Sequence, residues 1–487
     1  MNKQLRRDAV RGIGWAFLNS ISGRALQTIT TLMLAKLLVP ADFGVFALAS
    51  IFINGLGVLP DVGFPQVLIY LQGDIRKSAN TAFILSTATG ILFALLIFLF
   101  ADTIGMIFST PDIVWPIRAM APTLIISSAT SVPAVLLDRD LKFKKKAMSE
   151  IPGAIAYTIV SIILAAVGMG VWSLVIGWAV MVIVDCVITW LVCSWRPTFE
   201  LGIQEAKVII DYGKHLVVSV FAAFIFLQVD KAAVGKWLGM SVLGAYSIAF
   251  TVCNLPATNL TSVLNQVMFP TYSKLGNIPE IRAMYLNMVR QLSFIVFPLS
   301  SGLMIMSGPL IQALYGNKWA HAVPLFGILA VYGLIRAIST TTDAVFKSTD
   351  NPALMRKMNL IQLLVSGVFI YPAVQYFDAV GVAVLITVAS LAGALFGMAK
   401  VQRLLDIKTS AWAESMWMPL IASAVSGGIA SLMLRRPSWS MIILSTLVFV
   451  LTYGCATFLM NRSIYVELTG LIKNLGQGRM ASGESAD

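Results

Sequence analysis

The chain has 487 residues, of which 58% are hydrophobic and only 12% are charged, and its mean hydropathy is +0.83. Soluble globular domains are about 45–50% apolar and roughly 25% charged, so this composition excludes a soluble protein with an ordinary surface. The formal net charge of +12 does not require a nucleic acid partner, because basic cytoplasmic loops next to anionic lipid headgroups account for it. The composition therefore predicts an integral membrane protein.

The apolar segments are long and continuous, which indicates spanning helices of about 20 residues rather than the short alternating strands of a barrel. We predict an all-α protein with about fourteen transmembrane helices. In chain order these lie at 14–37, 42–69, 79–100, 114–137, 148–168, 171–193, 212–236, 241–268, 288–311, 322–346, 355–376, 379–404, 413–433 and 441–460.

The loops predict the orientation of these helices. With a cytoplasmic N-terminus, 26 of the 35 Lys and Arg residues fall on the cytoplasmic side and 7 on the other, while Arg24 and Arg336 lie within spans. This bias follows the positive-inside rule, and a missed span would disrupt its alternation. We therefore expect both termini in the cytoplasm. The polar tail after about residue 476 has the composition of a disordered segment.

An internal repeat appears when the sequence is shifted by 200 residues. Between positions 35 and 67 there are 7 identities in 33 positions, including the pairs Lys36/Lys236, Gly44/Gly244 and Asn54/Asn254. Six predicted spans separate the copies, so both copies have the same orientation in the membrane. Parallel repeats of this kind are related by an axis along the membrane normal, with substrate sites near their interface.

Polar side chains recur at helical spacing within several spans, where an ionisable group near the bilayer centre costs about 2.5–3.5 kcal/mol or more. They follow one face of the first span (Ser20, Arg24, Gln27, Thr28, Thr31), the second (Ser50, Asn54, Asp61), the eighth (Asn254, Thr258, Thr261, Ser262, Asn265) and the tenth (Tyr332, Arg336, Ser339, Thr340, Asp343, Lys347). For the Ser and Thr residues, a hydrated interior and hydrogen bonding between neighbouring helices both remain open.

From these stripes we predict a set of substrate-binding residues, namely Arg24, Thr28, Thr31, Asn54, Asp61, Asn254, Thr258 and Arg336. For Arg336 the alternative is a structural ion pair with Asp343. The candidates for ion coupling are Asp230, Lys231, Asp343 and Asp185. For Lys231 the alternative is extension of its side chain to the headgroups, and for Asp185 it is a polar contact near a helix end.

Enzymatic chemistry has no support in the sequence. The two histidines, His215 and His321, are far apart, and the chain has no P-loop, no paired carboxylates on one helix face and no metal-ligand spacing. We therefore expect a transporter without cofactor or metal centre, driven by a coupled ion such as H⁺ or Na⁺, by a gradient or by a partner.

Several ordered motifs resemble a known family. They are Ala35-Lys-Leu-Leu-Val-Pro-Ala-Asp-Phe-Gly44, Gln228-Val-Asp230 with Leu243-Gly-Ala-Tyr-Ser-Ile-Ala249, and the segments 269–275, 314–319 and 322–326. From about Arg11 to Leu404 the chain resembles the polysaccharide synthesis branch, the Wzx-type oligosaccharide flippases, of the superfamily that includes multidrug and toxin extruders (MOP). It departs from the family pattern at 346–350, where Phe-Lys-Ser-Thr-Asp replaces a glycine-containing motif.

This resemblance implies two pseudo-symmetric six-helix lobes in a V-shaped, MATE-like arrangement, with the N-terminal lobe at 1–200, the C-terminal lobe at 201–408, two further helices at 409–461 and a cytoplasmic tail at 462–487. It implies a cationic cavity, in which Arg24 occupies a place comparable to that of cavity arginines in peptidoglycan-precursor flippases. The implied function is alternating-access flipping of undecaprenyl-diphosphate-linked oligosaccharides in the bacterial inner membrane, with a polymerase and other export proteins as partners. The alternatives are an ion-coupled small-molecule exporter and, with less support, a membrane-embedded polysaccharide polymerase or ligase.

Overall fold

The computed structural model describes residues 23, 26–27, 29–58, 60, 64–70, 75–140, 142–198, 200–255, 257–258, 272, 277–349, 351–434 and 438–460. Within these ranges the regular structure is helical, as predicted, and no strand occurs. Residues 29–37 are helical. The labelled helices that follow are α1 (Pro40–Val58), α2 (Arg76–Ile107), α3 (Val114–Arg139), α4 (Phe143–Ala166), α5 (Val171–Val192), α6 (Ile203–Leu238), α7 (Met240–Cys253), α8 (Ile278–Tyr315), α9 (Val323–Ser348), α10 (Pro352–Leu404), α11 (Trp417–Met433) and α12 (Trp439–Met460).

In the described part of the chain, nine stretches are long and apolar enough to cross a membrane. Two of them, of 71 and 52 residues, are long enough for more than one crossing of roughly 20 residues. The stretch Ile278–Ser348 contains both α8 and α9. Helix α10 spans 53 residues and is interrupted at Asp378, whose φ of 52° is not helical. The count of fourteen spans stays a prediction.

Helix boundaries follow local chemistry. Pro40 lies in the first turn of α1, where its missing N–H is not needed, and the Asp42 carboxylate accepts a hydrogen bond from the Val39 amide. Helix α1 is described as far as Val58, and the rest of the predicted span 42–69 lies partly outside the described residues.

The outer surfaces of the helices are apolar. On α2, large hydrophobic side chains from Ile91 to Phe100 are about half exposed, and α12 shows the same pattern from Ile443 to Leu451. Contiguous exposed hydrophobic surface of this extent suits a lipid environment and would be unfavourable in water. The protein is therefore a multi-pass membrane protein.

The chain divides into two compact units. The first comprises residues 1–248 and 370–382, and the second comprises 249–369 and 383–487. The predicted lobe boundaries at residues 200 and 408 stay a prediction.

In the first unit, α2 packs on α3 and α4 packs on α5. The α4–α5 turn contains Gly168 and Gly170, both with positive φ, and it returns the chain so that α4 and α5 pack side by side. A buried cluster joins the turn Val67–Tyr70 to α2, α3 and α6 through Leu68, Ala79, Val132 and Ile209. These contacts join the start of α2 and the end of α3 to the start of α6.

In the second unit, α8 packs against α9, α11 and α12. Met306 of α8, Ala430 of α11 and Phe449 of α12 form one buried cluster. The Tyr453 hydroxyl of α12 also donates a hydrogen bond to the Phe294 carbonyl of α8, at 2.7 Å. The last two helices thus pack on α8 within this unit.

Candidate functional site

The predicted site residues are distributed over both units. Arg24, Thr28 and Asp61 lie outside the described residues. Thr31 donates its hydroxyl to the Gln27 carbonyl of its own helix, and Asn54 is exposed on α1. The remaining residues form three groups, around Asp185, around Asp230 and around Arg336.

A polar cavity lies in the first unit, where α3, α4 and α5 pack together. It has a volume of about 300 Å³. Its charged lining residues are Asp138 of α3, Lys146 and Glu150 of α4, and Asp185 of α5. Hydroxyl and amide groups complete the polar lining, namely those of Gln66, Ser127, Thr130, Ser131, Ser149 and Thr189.

The lysine that lines this cavity contacts carboxylates of α3 and α4. The Lys146 ammonium is 2.7 Å from the Asp138 carboxylate and 4.0 Å from that of Glu150. Asp185 lies on the opposite helix, and its Oδ1 atom is buried without a hydrogen-bond partner among the described residues. The cavity therefore carries more carboxylates than cations.

Close helix packing positions the Asp185 carboxylate. A Cβ atom built on Gly153 of α4 would lie 1.9 Å from Asp185 Oδ1. Gly153 is one turn beyond Glu150, so both residues are on the face of α4 that meets α5. Only a glycine leaves room for the carboxylate at this point.

The second group is a buried pair near the end of α6. The Tyr246 hydroxyl of α7 donates a hydrogen bond of 2.7 Å to Asp230 Oδ2, and Asp230 is 3% exposed. The neighbouring Lys231 donates to the Gln228 side chain at 3.1 Å. Because an unpartnered buried carboxylate is costly, the tyrosine stabilises Asp230 at this depth.

The third group lies in the second unit. Arg336 of α9 is half-buried, and its guanidinium donates a hydrogen bond of 2.9 Å to the Tyr332 hydroxyl. The Tyr332 ring packs on Phe250 of α7, with ring centroids 5.4 Å apart. Asn254 follows α7 directly and is 9% exposed, and its Oδ1 has no partner among the described residues. The group thus holds a guanidinium and a carbonyl oxygen that can bind a further polar group.

The ion pair considered for Arg336 and Asp343 is not formed. No contact within 4.0 Å joins their charged groups in the described part of the chain, and Asp343 Oδ1 is buried without a hydrogen-bond partner there. The hydroxyls beside them donate to carbonyls of α9 itself, as Thr340 does to Ala337 and Thr342 to Ser339. Both threonine hydroxyls therefore have a hydrogen-bond partner within their own helix.

Some residues of these groups were not selected from the sequence. Lys146 was assigned to a cytoplasmic loop, and Asp138, Glu150 and Thr189 were not selected. The spacing of Lys146 and Glu150, four residues apart on one helix, together with an aspartate in the next span, is the signal that would have identified the cavity. Tyr246 lies inside a recognised motif, but nothing in its spacing indicates a hydrogen bond to Asp230.

Comparisons with known proteins identify the family. The family model described as a polysaccharide biosynthesis protein matches residues 33–324. The succinoglycan biosynthesis transport protein ExoT of Rhizobium meliloti (strain 1021) is 26% identical over 336 residues, which are 69% of this chain and 68% of that protein. The lipopolysaccharide biosynthesis protein WzxC of Escherichia coli (strain K12) is 20% identical over 427 residues, 86% of each chain.

A solved structure shares the fold. The lipid II flippase MurJ in its inward closed conformation has a TM-score of 0.73 at 14% identity, covering 92% of this chain and 99% of that one. Since the family model covers more than half of the chain, the protein belongs to the polysaccharide biosynthesis protein family.

Proposed function

We propose that the protein flips undecaprenyl-diphosphate-linked oligosaccharide repeat units across the cytoplasmic membrane by alternating access, for the synthesis of a surface or exported polysaccharide. The observation that carries the proposal is the family match over residues 33–324. Relatives named for succinoglycan and lipopolysaccharide biosynthesis support the substrate class.

Physical chemistry explains why such a substrate needs a transporter. Each sugar hydroxyl placed in hydrocarbon without a hydrogen bond costs about 4–8 kcal/mol, and the diphosphate costs more. A polar path through the protein lets the headgroup cross while the lipid tail stays in the bilayer. Arg336 supports this role, because a half-buried guanidinium bonded to Tyr332 can bind phosphate through charge-assisted hydrogen bonds.

The same proposal assigns roles to the predicted residues. Arg24 and Arg336 bind the diphosphate, while the polar side chains of Thr28, Thr31, Asn54, Asp61, Asn254 and Thr258 bind sugar hydroxyls. Coupling to H⁺ or Na⁺ involves carboxylates among Asp185, Asp230 and Asp343, with Lys231 beside Asp230. Both termini lie in the cytoplasm, and the flipped repeat unit passes to a polymerase on the outer face.

Deletion of the gene followed by complementation tests the function. We expect the deletion strain to lose exported polymer and to accumulate lipid-linked repeat units on the cytoplasmic face, and the wild-type gene to restore export. A membrane-impermeant reagent that modifies sugars reports the face, because repeat units retained inside are protected in intact cells.

A polymerase deletion is the matched control, since its repeat units reach the outer face and become modified. Normal polymer export in the deletion strain, or unpolymerised repeat units that are fully accessible from outside, contradicts the flippase assignment.

A further inference from the structure

Two basic side chains meet at the end of α5. The Lys145 ammonium of α4 donates to the Val192 carbonyl at 3.3 Å, and the Arg196 guanidinium donates to the Cys193 carbonyl at 2.6 Å. Because Val192 and Cys193 are adjacent in the chain, the two cations lie around one helix end. Both residues are exposed, and neither has a carboxylate within 4.0 Å in the described part of the chain. The surface at this helix end is therefore positively charged.

The aspartates that precede α4 do not neutralise this charge, because other lysines bind them. The Asp138 carboxylate is 2.7 Å from the Lys146 ammonium, and the Asp140 carboxylate is 2.6 Å from that of Lys142. Lys144 adds a further exposed side chain in the first turn of α4. An anion that approaches the end of α5 therefore meets an excess of positive charge.

Aromatic rings indicate the depth of this helix end in the membrane. The Trp190 and Trp195 rings stack with centroids 6.1 Å apart, and Phe83 of α2 packs on them at 5.9 and 5.8 Å. The Arg196 guanidinium lies over the Trp190 ring, 5.8 Å from its centroid. Tryptophan concentrates at the membrane–water interface, at the level of the headgroups. The guanidinium is therefore held at the depth of the lipid phosphates.

Apolar stripes lead from this charged end into the membrane. On α4, side chains that are 44–58% exposed follow Lys145 on one face of the helix, namely Met148, Ile155, Ile159 and Ile163. The neighbouring α5 carries a second exposed stripe of Ile183, Val187 and Leu191. Cations at the end of an exposed apolar surface match a phospholipid, in which acyl chains end in an anionic headgroup.

We propose that this surface of α4 and α5 is a binding site for an acidic phospholipid, whose phosphate groups contact Lys145 and Arg196 and whose acyl chains follow the two apolar stripes. An ammonium has three N–H donors and a guanidinium has five, so donors remain for phosphate oxygens beside the bonds to carbonyls. Two cations suit a headgroup with two phosphates, so diphosphatidylglycerol should bind most tightly. The site does not rest on the proposed flippase function.

Helix capping is the alternative role for the two cations. Basic side chains near a helix C-terminus bind its last carbonyls and interact favourably with the helix dipole. Capping stabilises the protein whether or not lipid is present. Lipid binding adds a stabilisation that depends on the concentration of the lipid, so the two roles can be separated by measurement.

Binding can be measured on the purified full-length protein in detergent, without any lipid-linked sugar. Thermal unfolding is followed while diphosphatidylglycerol is added, and phosphatidylcholine with the same acyl chains is added in a parallel series. A ligand that binds only the folded state raises Tm, and the dependence of Tm on its concentration gives an apparent Kd. We expect a saturable rise with diphosphatidylglycerol and little or none with phosphatidylcholine.

Substitutions at the two cations should weaken the binding. Lys145→Gln combined with Arg196→Gln should raise the apparent Kd roughly 30-fold, which is the contribution of one basic residue to binding an anionic lipid, taken twice. Lys145→Arg combined with Arg196→Lys keeps both charges and should bind more tightly than the glutamine pair. The matched control is Arg356→Gln combined with Lys357→Gln, which removes two exposed charges in the first turns of α10 and should keep the wild-type Kd.

The proposal is overturned if phosphatidylcholine raises Tm as much as diphosphatidylglycerol. It is also overturned if the glutamine pair lowers Tm without lipid but keeps the wild-type rise with lipid, since the cations then act only as helix caps. Undecaprenyl diphosphate is a third ligand to test. If it raises Tm through Lys145 and Arg196 while diphosphatidylglycerol does not, the surface belongs to the substrate path instead.

The outcome is independent of the flippase assignment. The assay with phospholipids contains no transported substrate, so a failure to bind diphosphatidylglycerol leaves that assignment intact. Normal polymer export in a deletion strain would contradict the flippase assignment and leave the phospholipid result intact.

Discussion

Gly44 and Gly244 face each other where α1 and α7 begin, and each lies against the backbone of the other helix. A Cβ atom on Gly44 would be 1.8 Å from the Met240 carbonyl oxygen, and one on Gly244 would be 1.8 Å from the Pro40 carbonyl oxygen. Pro40 and Met240 are the first residues of the two helices and are themselves 200 positions apart. The contact is therefore reciprocal between the two copies of the internal repeat.

This contact predicts that alanine is not tolerated at either glycine. In a helix, alanine is normally favoured over glycine by about 0.5–1 kcal/mol. Here the added methyl group meets a backbone carbonyl that cannot rotate away, and such overpacking costs about 1–3 kcal/mol. We expect Gly44→Ala and Gly244→Ala each to lower Tm and polymer export.

Gly428→Ala on α11 is the matched control, because a Cβ atom there has no heavy atom within 4 Å. It should leave Tm unchanged or raise it slightly. If Gly44→Ala and Gly244→Ala both keep the wild-type Tm and polymer export, the two helices can move apart without loss of stability, and the prediction is wrong.

The predictions from sequence were most accurate where local chemistry decides the structure. The predicted spans 148–168 and 171–193 correspond to α4 (Phe143–Ala166) and α5 (Val171–Val192), since two glycines with positive φ fix the turn between them. The shift of 200 residues also aligned Gly44 with Gly244, which the structure brings into contact.

The predictions were weakest where side chains from different helices combine. Asp185 was selected because a carboxylate interrupts an apolar span, whereas Asp138 and Lys146 resemble ordinary charges of a cytoplasmic loop. Only packing of α3 against α5 and of α4 against α5 places the three around one cavity. The partner of Asp230 was not predictable either, because the Tyr246 hydroxyl reaches it through the packing of α7.

The hydrogen bond between the buried side chains of Asp230 and Tyr246 predicts a measurable coupling free energy between the two residues. Tyr246→Phe removes the hydrogen bond but leaves the carboxylate buried, so it should lower the free energy of unfolding by about 1–3 kcal/mol. In a double-mutant cycle, Asp230→Asn combined with Tyr246→Phe should cost less than the sum of the single changes, by at least ~0.5 kcal/mol. Denaturant unfolding of the purified wild-type, single-variant and double-variant proteins measures these free energies of unfolding.

Tyr371→Phe serves as the control for loss of a hydroxyl, since Tyr371 is exposed on α10. Additive effects of the two single changes in the cycle would mean that the 2.7 Å hydrogen bond does not contribute to stability.

The position of Arg336 predicts that polymer export requires a positive charge in the second unit. Replacing it with alanine removes the guanidinium that donates to Tyr332. A hydrogen bond to a charged group contributes about 1.5–3 kcal/mol, so polymer export should fall by roughly 10- to 100-fold if that group binds the substrate diphosphate. Arg336→Lys should retain part of the activity, because a lysine keeps the charge without the bidentate geometry.

Arg356→Ala, which removes an exposed arginine of α10, is the control and should leave export unchanged. An Arg336→Ala protein that is present at wild-type levels and exports normally would exclude Arg336 from the substrate path.

Arg24 lies outside the described residues, and its prediction rests on the sequence alone. A guanidinium within an apolar span, without an acid in its own polar stripe, is costly unless it serves binding. Arg24→Ala should therefore reduce export at normal protein levels, and cells should retain lipid-linked repeat units on the cytoplasmic face. Full export by a normally expressed Arg24→Ala protein would remove this residue from the site.

Gly153 predicts that the cost of an added methyl group depends on what the group meets. The methyl group of Gly153→Ala would lie 1.9 Å from Asp185 Oδ1, and since that atom ends a flexible side chain, the carboxylate rather than the helix should move. We therefore expect Gly153→Ala to lower Tm by less than Gly44→Ala, whose methyl group meets a backbone carbonyl. Gly367→Ala on α10, where a Cβ atom has open space, should leave Tm unchanged or raise it slightly. A loss of Tm in Gly153→Ala as large as that in Gly44→Ala would mean that the helices moved instead of the carboxylate.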